Sequence, residues 1–225
     1  MKISIIVPAY NEEKTIATIL EKLKSVNLSP YEKEIIVVDN NSSDKTINIV
    51  QNISGIKVFV EKEKGKGSAV KTGRNNATGD FILIQDADLE YNPEDIPKLL
   101  SKINGNKTAV YGSRNLKPHR KGGVLARVGV WFLTREFNLL FSTNLTDLWT
   151  CYKLFPKDAS KYFKNGGFES ELEFSANLIK NGYIITEISI TYNNPRTKEE
   201  GKKIRNIDGI KAIFGLLIYK FRKAD

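Results

Sequence analysis

The chain has 225 residues, enough for one good core, and 40% of them are hydrophobic, which argues for a globular protein. Its formal net charge is +9, and a single cysteine, Cys151, excludes an internal disulfide framework. Met1 leads into an apolar run too short for a signal-peptide core, and no stretch approaches the roughly 20 apolar residues of a membrane-spanning helix. We therefore expect one domain in the cytoplasm, either soluble or peripheral on a membrane.

The basic residues are concentrated in two parts of the chain. Residues 98–135 contain nine lysines and arginines and no acid, and residues 196–225 contain nine against four acids. Such tracts suit phosphate groups, nucleic acid or an anionic membrane surface, and a generic basic surface that only maintains solubility is the alternative.

The first hundred residues alternate between strand and helix patterns. Strands are predicted at 3–7, 34–38, 57–60 and 81–84, and helices follow the first three, the later two at 44–53 and 67–77. Wholly apolar strands alternating with helices predict an α/β fold with a mostly parallel, doubly wound sheet.

Polar segments follow three of these strands, at 8–12, 39–42 and 86–88. Ligands of doubly wound sheets bind beyond the carboxyl ends of the strands, so the three segments are expected to converge on one crevice. The carboxylates of Asp86 and Asp88, with Glu90 nearby, would repel each other unless a cation lay between them. The pattern predicts a divalent metal and a diphosphate there, although an acidic turn capping the next helix is the ordinary alternative.

The other polar residues of this edge suit a nucleoside. Tyr10 could stack on a base, Glu12 could accept hydrogen bonds from a ribose or base edge, and Asp39 could hold ribose hydroxyls. Glu12 could equally complement a helix dipole, and Asp39 could belong to a helix cap. The glycines and lysines of 63–67 suit phosphate, while the patterns of nucleotide hydrolases and dinucleotide dehydrogenases are absent.

The second half of the chain is less regular. Strands are predicted at 109–114 and 182–191, and an apolar helix at 124–142 is interpreted as a core helix or as one lying on a membrane. The loop at 116–123 is the preferred membrane contact. A final amphipathic helix has its apolar residues on one side: Ile207, Ile210, Phe214, Leu217 and Phe221.

Several motifs occur in a fixed order: residues 7–13, 38–44, 65–67, 86–90, 112–114 and 146–153, Phe168 with Glu171 and Glu173, and residues 196–203. On these motifs the chain resembles the inverting family 2 glycosyltransferases of the GT-A fold, and more narrowly the polyprenyl-phosphate (dolichol-phosphate) mannose or glucose synthases. It departs from them at Trp149, where one branch commonly has an acid, and at Thr150-Cys151. The resemblance implies a three-layer α/β/α domain over 1–225, with a nucleotide-sugar half (1–110) and an acceptor half (111–225) that ends in the amphipathic helix.

The resemblance also implies the site residues. The nucleotide sugar, GDP-mannose or a UDP-hexose, would be held by Pro8, Ala9, Tyr10, Glu12, Asp39, Lys66, Asp86, Ala87 and Asp88. Mg²⁺ or Mn²⁺ would be held by Asp86, Asp88 and Glu90. The polyprenyl phosphate would meet Arg114, Arg127, Arg196 and Lys203. The residues closest to the chemistry would be Asp88, Arg114, Asp147 and Lys153.

Two alternatives stay open at this point. The same fold could transfer sugar to a hydroxyl of a glycan or protein in cell-envelope polysaccharide synthesis, which would need a base: Asp147, or less favourably Glu169 or Glu171. A non-catalytic nucleotide- or nucleic-acid-binding module would explain the charge. Three acidic strand ends in one crevice would repel a nucleic-acid backbone, so we expect no nucleic acid partner.

Overall fold

The computed structural model describes residues 1–116, 124–164, 169–192 and 215–222, with the side chains of 124–127 and of Glu169 left aside. Most of the loop expected to contact a membrane, most of the predicted final helix, and Phe168, Arg196 and Lys203 lie outside these residues.

Strands and helices alternate through the first hundred residues and less regularly afterwards. The strands are β1 (Lys2–Ala9), β2 (Glu32–Asp39), β3 (Lys57–Val60), β4 (Phe81–Ile84), β5 (Thr108–Ser113), β6 (Lys153–Pro156) and β7 (Ile184–Ser189). The helices are α1 (Ile16–Ser25), α2 (Thr46–Gln51), α3 (Lys66–Asn76), α4 (Ile96–Leu100), α5 (Val124–Phe141) and α6 (Glu169–Lys180), and residues 215–221 form a further helix. Short 3₁₀ turns lie at Pro93–Asp95 and Lys157–Tyr162.

The seven strands form one sheet in the order β3-β2-β1-β4-β6-β5-β7. Its pairs are parallel except for the two that β6 makes with β4 and β5. The predicted α/β fold with a mostly parallel, doubly wound sheet is therefore confirmed, and β6 is a strand that the sequence patterns did not predict.

The pairing register aligns the strand ends that carry the polar segments. Ala9 at the end of β1 lies opposite Asp39 at the end of β2, and Ile6 lies opposite Ile84 at the end of β4. Because β6 runs the other way, it begins at this same edge, with Lys153 opposite Ile84. The carboxyl edge of the sheet therefore receives residues from both halves of the chain.

Hydrophobic clusters cover the two faces of the sheet, and a third cluster joins α5, α6 and the helix at 215–221. Within α5, Leu133 and Phe137 point into that cluster. The other side of α5 is an exposed apolar stripe, which we define as Val128, Trp131, Phe132 and Leu139, each at least 50% exposed. The interpretation as a core helix thus holds for one side of α5, and the interpretation as a helix lying on a membrane stays a prediction for the other. None of the helices in the described ranges has the length and apolar character needed to span a bilayer.

Candidate active site

The loops after β1 and β2 are fastened to each other by side-chain hydrogen bonds. The backbone N–H of Asn11 donates to Ser42 Oγ (3.0 Å), and the backbone N–H of Ser43 donates to Asn11 Oδ1 (2.8 Å). Asn11 and Asn41 both have a positive φ, of 54° and 60°, which asparagine tolerates better than most residues. These bonds give the first two polar segments a fixed relative position.

Asp39 makes the turn contact that one of its two interpretations requires, and its role toward a ribose stays a prediction. Its Oδ2 accepts a hydrogen bond from the backbone N–H of Ser42 (3.0 Å), as a local turn would require. Its Oδ1 is buried and has no hydrogen-bond partner among the described residues. A buried carboxylate oxygen without a donor is costly. That oxygen is therefore suited to accept a hydrogen bond from a ligand.

Glu12 is buried and Tyr10 is exposed, with Pro8 and Ala9 at the end of β1. The carboxylate of Glu12 accepts a hydrogen bond from Thr15 Oγ1 (2.9 Å), while its backbone N–H donates to Thr46 Oγ1 (2.8 Å). Glu12 thus joins the starts of α1 and α2 in addition to any ligand role, and the ring of Tyr10 is exposed.

Asn40 shapes the loop that leads into α3. Its amide nitrogen donates to the carbonyls of Glu61 (3.1 Å) and Glu63 (2.7 Å), and its Oδ1 accepts from the backbone N–H of Gly65 (2.8 Å). Gly65 has a φ of +126°, which only glycine adopts readily. This turn starts α3 at Lys66, so a positive helix end and a lysine ammonium lie together after β3.

Four charged side chains of alternating sign form what we call the buried charge chain: Asp86, Lys66, Glu171 and Lys153. Lys66 Nζ lies 2.7 Å from Asp86 Oδ1 and 3.2 Å from Glu171 Oε1, and Glu171 Oε2 lies 2.7 Å from Lys153 Nζ. Lys153 and Glu171 are fully buried, while the Asp86 side chain is 21% exposed. The buried charge chain therefore extends from Lys153 in the interior to Asp86, the partly exposed acid in the loop after β4.

The electrostatics of this cluster favour a charged lysine. Burial lowers the pKa of Lys66, but the negative charges around it, Asp86 foremost, outweigh burial and raise that pKa well above its ordinary value. Burial, followed by the charge of Asp86, raises the pKa of the Cys151 thiol, so this cysteine stays protonated and is not a nucleophile.

The acids expected to hold a metal do not form one three-carboxylate set. Asp86 is paired with Lys66, and Glu90 Oε2 accepts a hydrogen bond from the Tyr192 hydroxyl (3.1 Å). Among the residues whose side chains are described, no three acidic, imidazole or thiol groups are grouped to hold an ion. The assignment of Glu90 as a third metal ligand stays a prediction. Asp86 and Asp88 still supply the hard oxygen donors that Mg²⁺ and Mn²⁺ prefer, with the missing ligands open to a diphosphate.

Arg114, immediately after β5, is held by a buried carboxylate. Its Nε and Nη2 donate to Asp147 Oδ2 (2.7 Å) and Oδ1 (2.8 Å), and its backbone N–H donates to Oδ2 (3.0 Å). The guanidinium lies 5.4 Å from the ring centroid of Tyr192, the residue that bonds Glu90. A fixed cation from the second half of the chain is thus connected to the acidic loop after β4.

Two candidate residues have roles that their sequence positions did not indicate. Both oxygens of Asp147 are occupied by Arg114, and Asp147 itself is fully buried, so the side chain orients an arginine and is not a free base. Lys153 is also fully buried and belongs to the charge chain, so it cannot meet a phosphate directly. The remaining candidate residues are quickly placed. Ala87, in the loop after β4, is buried in the hydrophobic core. Arg127 lies on α5, but its side chain is not described, and neither is any part of Arg196 or Lys203.

Some contributors were missed or given a different role at the level of sequence. Asn40 and Tyr192 contribute the contacts described above, and no local sequence pattern marks either of them. Glu187, an acid within β7, accepts the backbone N–H groups of Thr146 (2.7 Å) and Asp147 (2.9 Å) and so fixes the segment that holds Arg114. The sequence signal that could have pointed to Glu187 is an isolated acid in the middle of a predicted strand.

The family model described as "Glycosyl transferase family 2" matches residues 4–163. The chain belongs to glycosyltransferase family 2. This match covers β1 to the 3₁₀ turn after β6, and it includes Asp39, Lys66, the acids after β4 and Arg114.

Curated relatives are similar over parts of the chain. A dolichol-phosphate mannosyltransferase of Pyrococcus furiosus is 39% identical over 121 residues, which is 52% of this chain and 34% of the relative. An undecaprenyl-phosphate 4-deoxy-4-formamido-L-arabinose transferase of Proteus mirabilis is 35% identical over 44% of this chain and 33% of its own length. The matched segment thus spans about a third of these two relatives. An uncharacterized protein of Methanocaldococcus jannaschii is 29% identical over 84% of this chain and 88% of its own length.

Solved structures share the fold. Glucosyl-3-phosphoglycerate synthase of Mycobacterium tuberculosis, in complex with Mn²⁺, UDP and phosphoglyceric acid, superposes with a TM-score of 0.73 at 19% identity. The superposition covers 99% of this chain and 79% of that one, and the same enzyme with Mg²⁺ and UDP gives the same TM-score. At this identity the similarity shows the GT-A fold alone.

Proposed function

We propose that the chain transfers a hexose from a nucleoside-diphosphate sugar to a polyprenyl phosphate, with inversion at the anomeric carbon. The observation that carries this proposal is the position of Arg114, which is locked by Asp147 at the same sheet edge as Asp86 and Asp88. A donor diphosphate and an acceptor phosphate repel each other, so joining them needs a fixed cation on each side. Lys66 and Arg114 supply one from each half of the chain.

On the donor side, Asp39 Oδ1 would accept a hydrogen bond from the nucleoside, Tyr10 would stack on the base, and Lys66 with the start of α3 would face the diphosphate. Asp88 and Asp86 would hold Mg²⁺ or Mn²⁺. When bound, such an ion would offset the negative charge of the departing diphosphate. The relatives' structures with Mn²⁺ or Mg²⁺ and UDP support this choice.

On the acceptor side, a phosphate monoester is already a nucleophile at neutral pH, so no strong base is required. An oxygen of the acceptor phosphate would attack the anomeric carbon opposite the donor, forming the new C–O bond as the bond to the nucleoside diphosphate breaks. Arg114 would orient that phosphate. Transfer to a hydroxyl is less well supported, because Asp147 and Glu171 are both buried and engaged with cations.

We also propose that the protein works peripherally at the cytoplasmic face of a membrane, where a polyprenyl phosphate would be met. The exposed apolar stripe of α5 supports this, and Arg135 lies beside it with its guanidinium 5.7 Å from the Trp131 ring. Aromatic and basic residues together are typical of helices that lie in a membrane interface.

The experiment that tests the function is direct transfer. The protein would be incubated with UDP- and GDP-hexoses, undecaprenyl or dolichyl phosphate in detergent, and either Mn²⁺ or EDTA. The expected result is a lipid-linked sugar that forms only with one nucleotide series and only with metal, with the anomeric configuration of the product opposite to that of the donor. Product formed on a hydroxyl acceptor but not on the lipid phosphate would reject the proposed acceptor. Binding of neither UDP nor GDP would reject the donor site.

A further inference from the structure

The buried charge chain is more extensive than binding a diphosphate by Lys66 alone would require. Lys66 has two carboxylates within 3.2 Å, and Glu171 has two ammonium groups within the same distance. Lys153, the innermost member, also donates to the backbone carbonyl of Thr150 and lies 4.9 Å from the Tyr111 ring centroid. Burying two ion pairs in a row costs desolvation energy and is poor evidence of a stability role.

We propose that Glu171 is a positioning residue that keeps the ammonium of Lys66 fixed in place when Asp86 turns to the donor; this inference rests on the proposed function. Lys66 is 13% exposed and Glu171 not at all, so the second carboxylate approaches Lys66 from the protein side. When a ligand engages Asp86 and weakens its pair with Lys66, Glu171 remains as the counter-charge. Lys66 can then face the diphosphate without leaving its place.

Lys153 binds the carboxylate oxygen of Glu171 that does not face Lys66. Its ammonium lies 2.7 Å from the Oε2 of Glu171, whereas Lys66 lies 3.2 Å from Oε1. Because Glu171 is bound to a fully buried lysine from β6, its carboxylate cannot rotate toward the site and neutralise Lys66 by closer contact. The ion pair between Glu171 and Lys66 thus connects α6, in the second half of the chain, to the start of α3 in the first half.

A positional role and a mere charge effect predict opposite results for Glu171→Gln. Removing a negative charge raises the local potential, which by itself tightens the binding of a diphosphate anion. Loss of a fixed counter-charge lets Lys66 pair only with Asp86, which withdraws both groups from the ligand and weakens binding. The sign of the change in affinity therefore separates the two.

The test measures the dissociation constants of UDP and GDP, and of UMP and GMP, by calorimetry in the presence of Mg²⁺. For the nucleotide that the wild type prefers, Glu171→Gln should weaken diphosphate binding about tenfold and change monophosphate binding less than about twofold. In a Lys66→Met background the same substitution should have no further effect, because the coupling passes through Lys66. Glu173→Gln, on the same helix and bound to Arg222 (3.2 Å), is the matched control and should bind as the wild type does.

Glu171→Gln leaves Lys153 buried without its counter-charge, so the variant could fail to fold. Lys153→Met/Glu171→Gln removes that ion pair as a unit and should fold, with the same loss of diphosphate affinity. If either folded variant binds the diphosphate as tightly as the wild type, or more tightly, the inference is overturned while the donor site stands. If the wild type binds no nucleoside diphosphate, the proposed function fails together with the inference.

Discussion

Asp147 holds Arg114 through both of its carboxylate oxygens, with Nε to Oδ2 at 2.7 Å and Nη2 to Oδ1 at 2.8 Å. Asp147 is fully buried, and its backbone N–H is held in turn by Glu187 (2.9 Å). A paired, planar guanidinium in a single orientation suits recognition of a phosphate better than a mobile lysine does.

Arg114→Lys should therefore keep the charge and lose the orientation. We expect KM for the polyprenyl phosphate to rise about tenfold while KM for the sugar nucleotide changes by less than about twofold. Steady-state kinetics with each substrate varied in turn would measure this. An equal rise in both constants would show that Arg114 does not serve the acceptor.

Asp147→Ala should destabilise the protein, because it leaves the guanidinium of Arg114 without its buried partner. Breaking a buried pair in this way typically costs about 3–5 kcal/mol. Chemical denaturation would measure the loss. The double variant Arg114→Met/Asp147→Ala should recover part of it and remain inactive, whereas a double variant no more stable than the single one would contradict this account.

Asp88→Asn should lower transfer by at least about 100-fold, because the amide is a poor ligand for a divalent cation, and the fold should be unchanged. Asp88 is only half-buried after β4 and accepts the backbone N–H of Glu90 at 3.3 Å. Transfer assays and thermal melting would check both expectations. Glu94→Gln, an exposed acid nearby, is the control. Full activity of Asp88→Asn would remove the metal from this position.

Asp39→Asn converts the unpartnered Oδ1 into a donor while the remaining oxygen can still accept from Ser42. A lost hydrogen bond to a charged group is worth about 1.5–3 kcal/mol. We therefore expect nucleoside-diphosphate affinity to fall roughly 10- to 100-fold without a lower melting temperature. Calorimetric titration with UDP and GDP would show the loss, and Asp44→Asn on the same loop serves for comparison. Unaltered affinity would mean that Asp39 belongs only to the turn.

Trp131→Ser/Phe132→Ser should abolish binding to anionic lipid vesicles and leave the melting temperature unchanged, because the side chains are 59% and 50% exposed. Vesicle co-sedimentation would measure binding. Val60→Ser, which removes a similarly exposed apolar residue from the edge strand β3, should not reduce it. Retained vesicle binding in the double variant would exclude the stripe as the contact.

Glu34 should make stability depend on pH in the acid range. Burial opposes its charge, but hydrogen bonds from Lys57, Ser4 and Thr78 hold its pKa well below the ordinary 4.5. A lowered folded pKa gives stability that is complete above the unfolded value and is lost as pH falls through the folded one. Glu34→Gln should therefore melt lower at pH 7 by roughly 2–4 °C, the equivalent of about 1 kcal/mol.

The difference between Glu34→Gln and the wild type should shrink as pH falls below about 4.5 toward 2. Glu32→Gln, an exposed acid on the same strand, provides the comparison and should follow the wild type throughout. A constant difference across the whole range would refute the assigned pKa.

The first half of the chain was predictable from its sequence because the signals there are local. Each of its strands is a short apolar run followed at once by polar residues, and the bounds at 57–60 and 81–84 were correct. Helix α2 is shorter than predicted, since Asp44 accepts the backbone N–H of Thr46 (2.9 Å) and forms a turn before the helix.

The second half of the chain was less predictable because its important contacts join distant segments. Strand β6 has four residues, with a lysine and a proline, so neither periodicity nor length revealed it. Helix α6 carries three acids in its first turns, and only the fold shows that Glu171 meets two lysines from elsewhere in the chain. The locking of Arg114 by Asp147 spans 33 residues and likewise left no local pattern.

Strand β6 runs antiparallel to both of its neighbours, and this direction decides where its first residue lies. It brings the segment from 147 to 153 to the edge of the sheet where β1, β2 and β4 end. A parallel strand in the same place would begin at the opposite edge, and Lys153 would then lie away from Glu171 and the charged cluster.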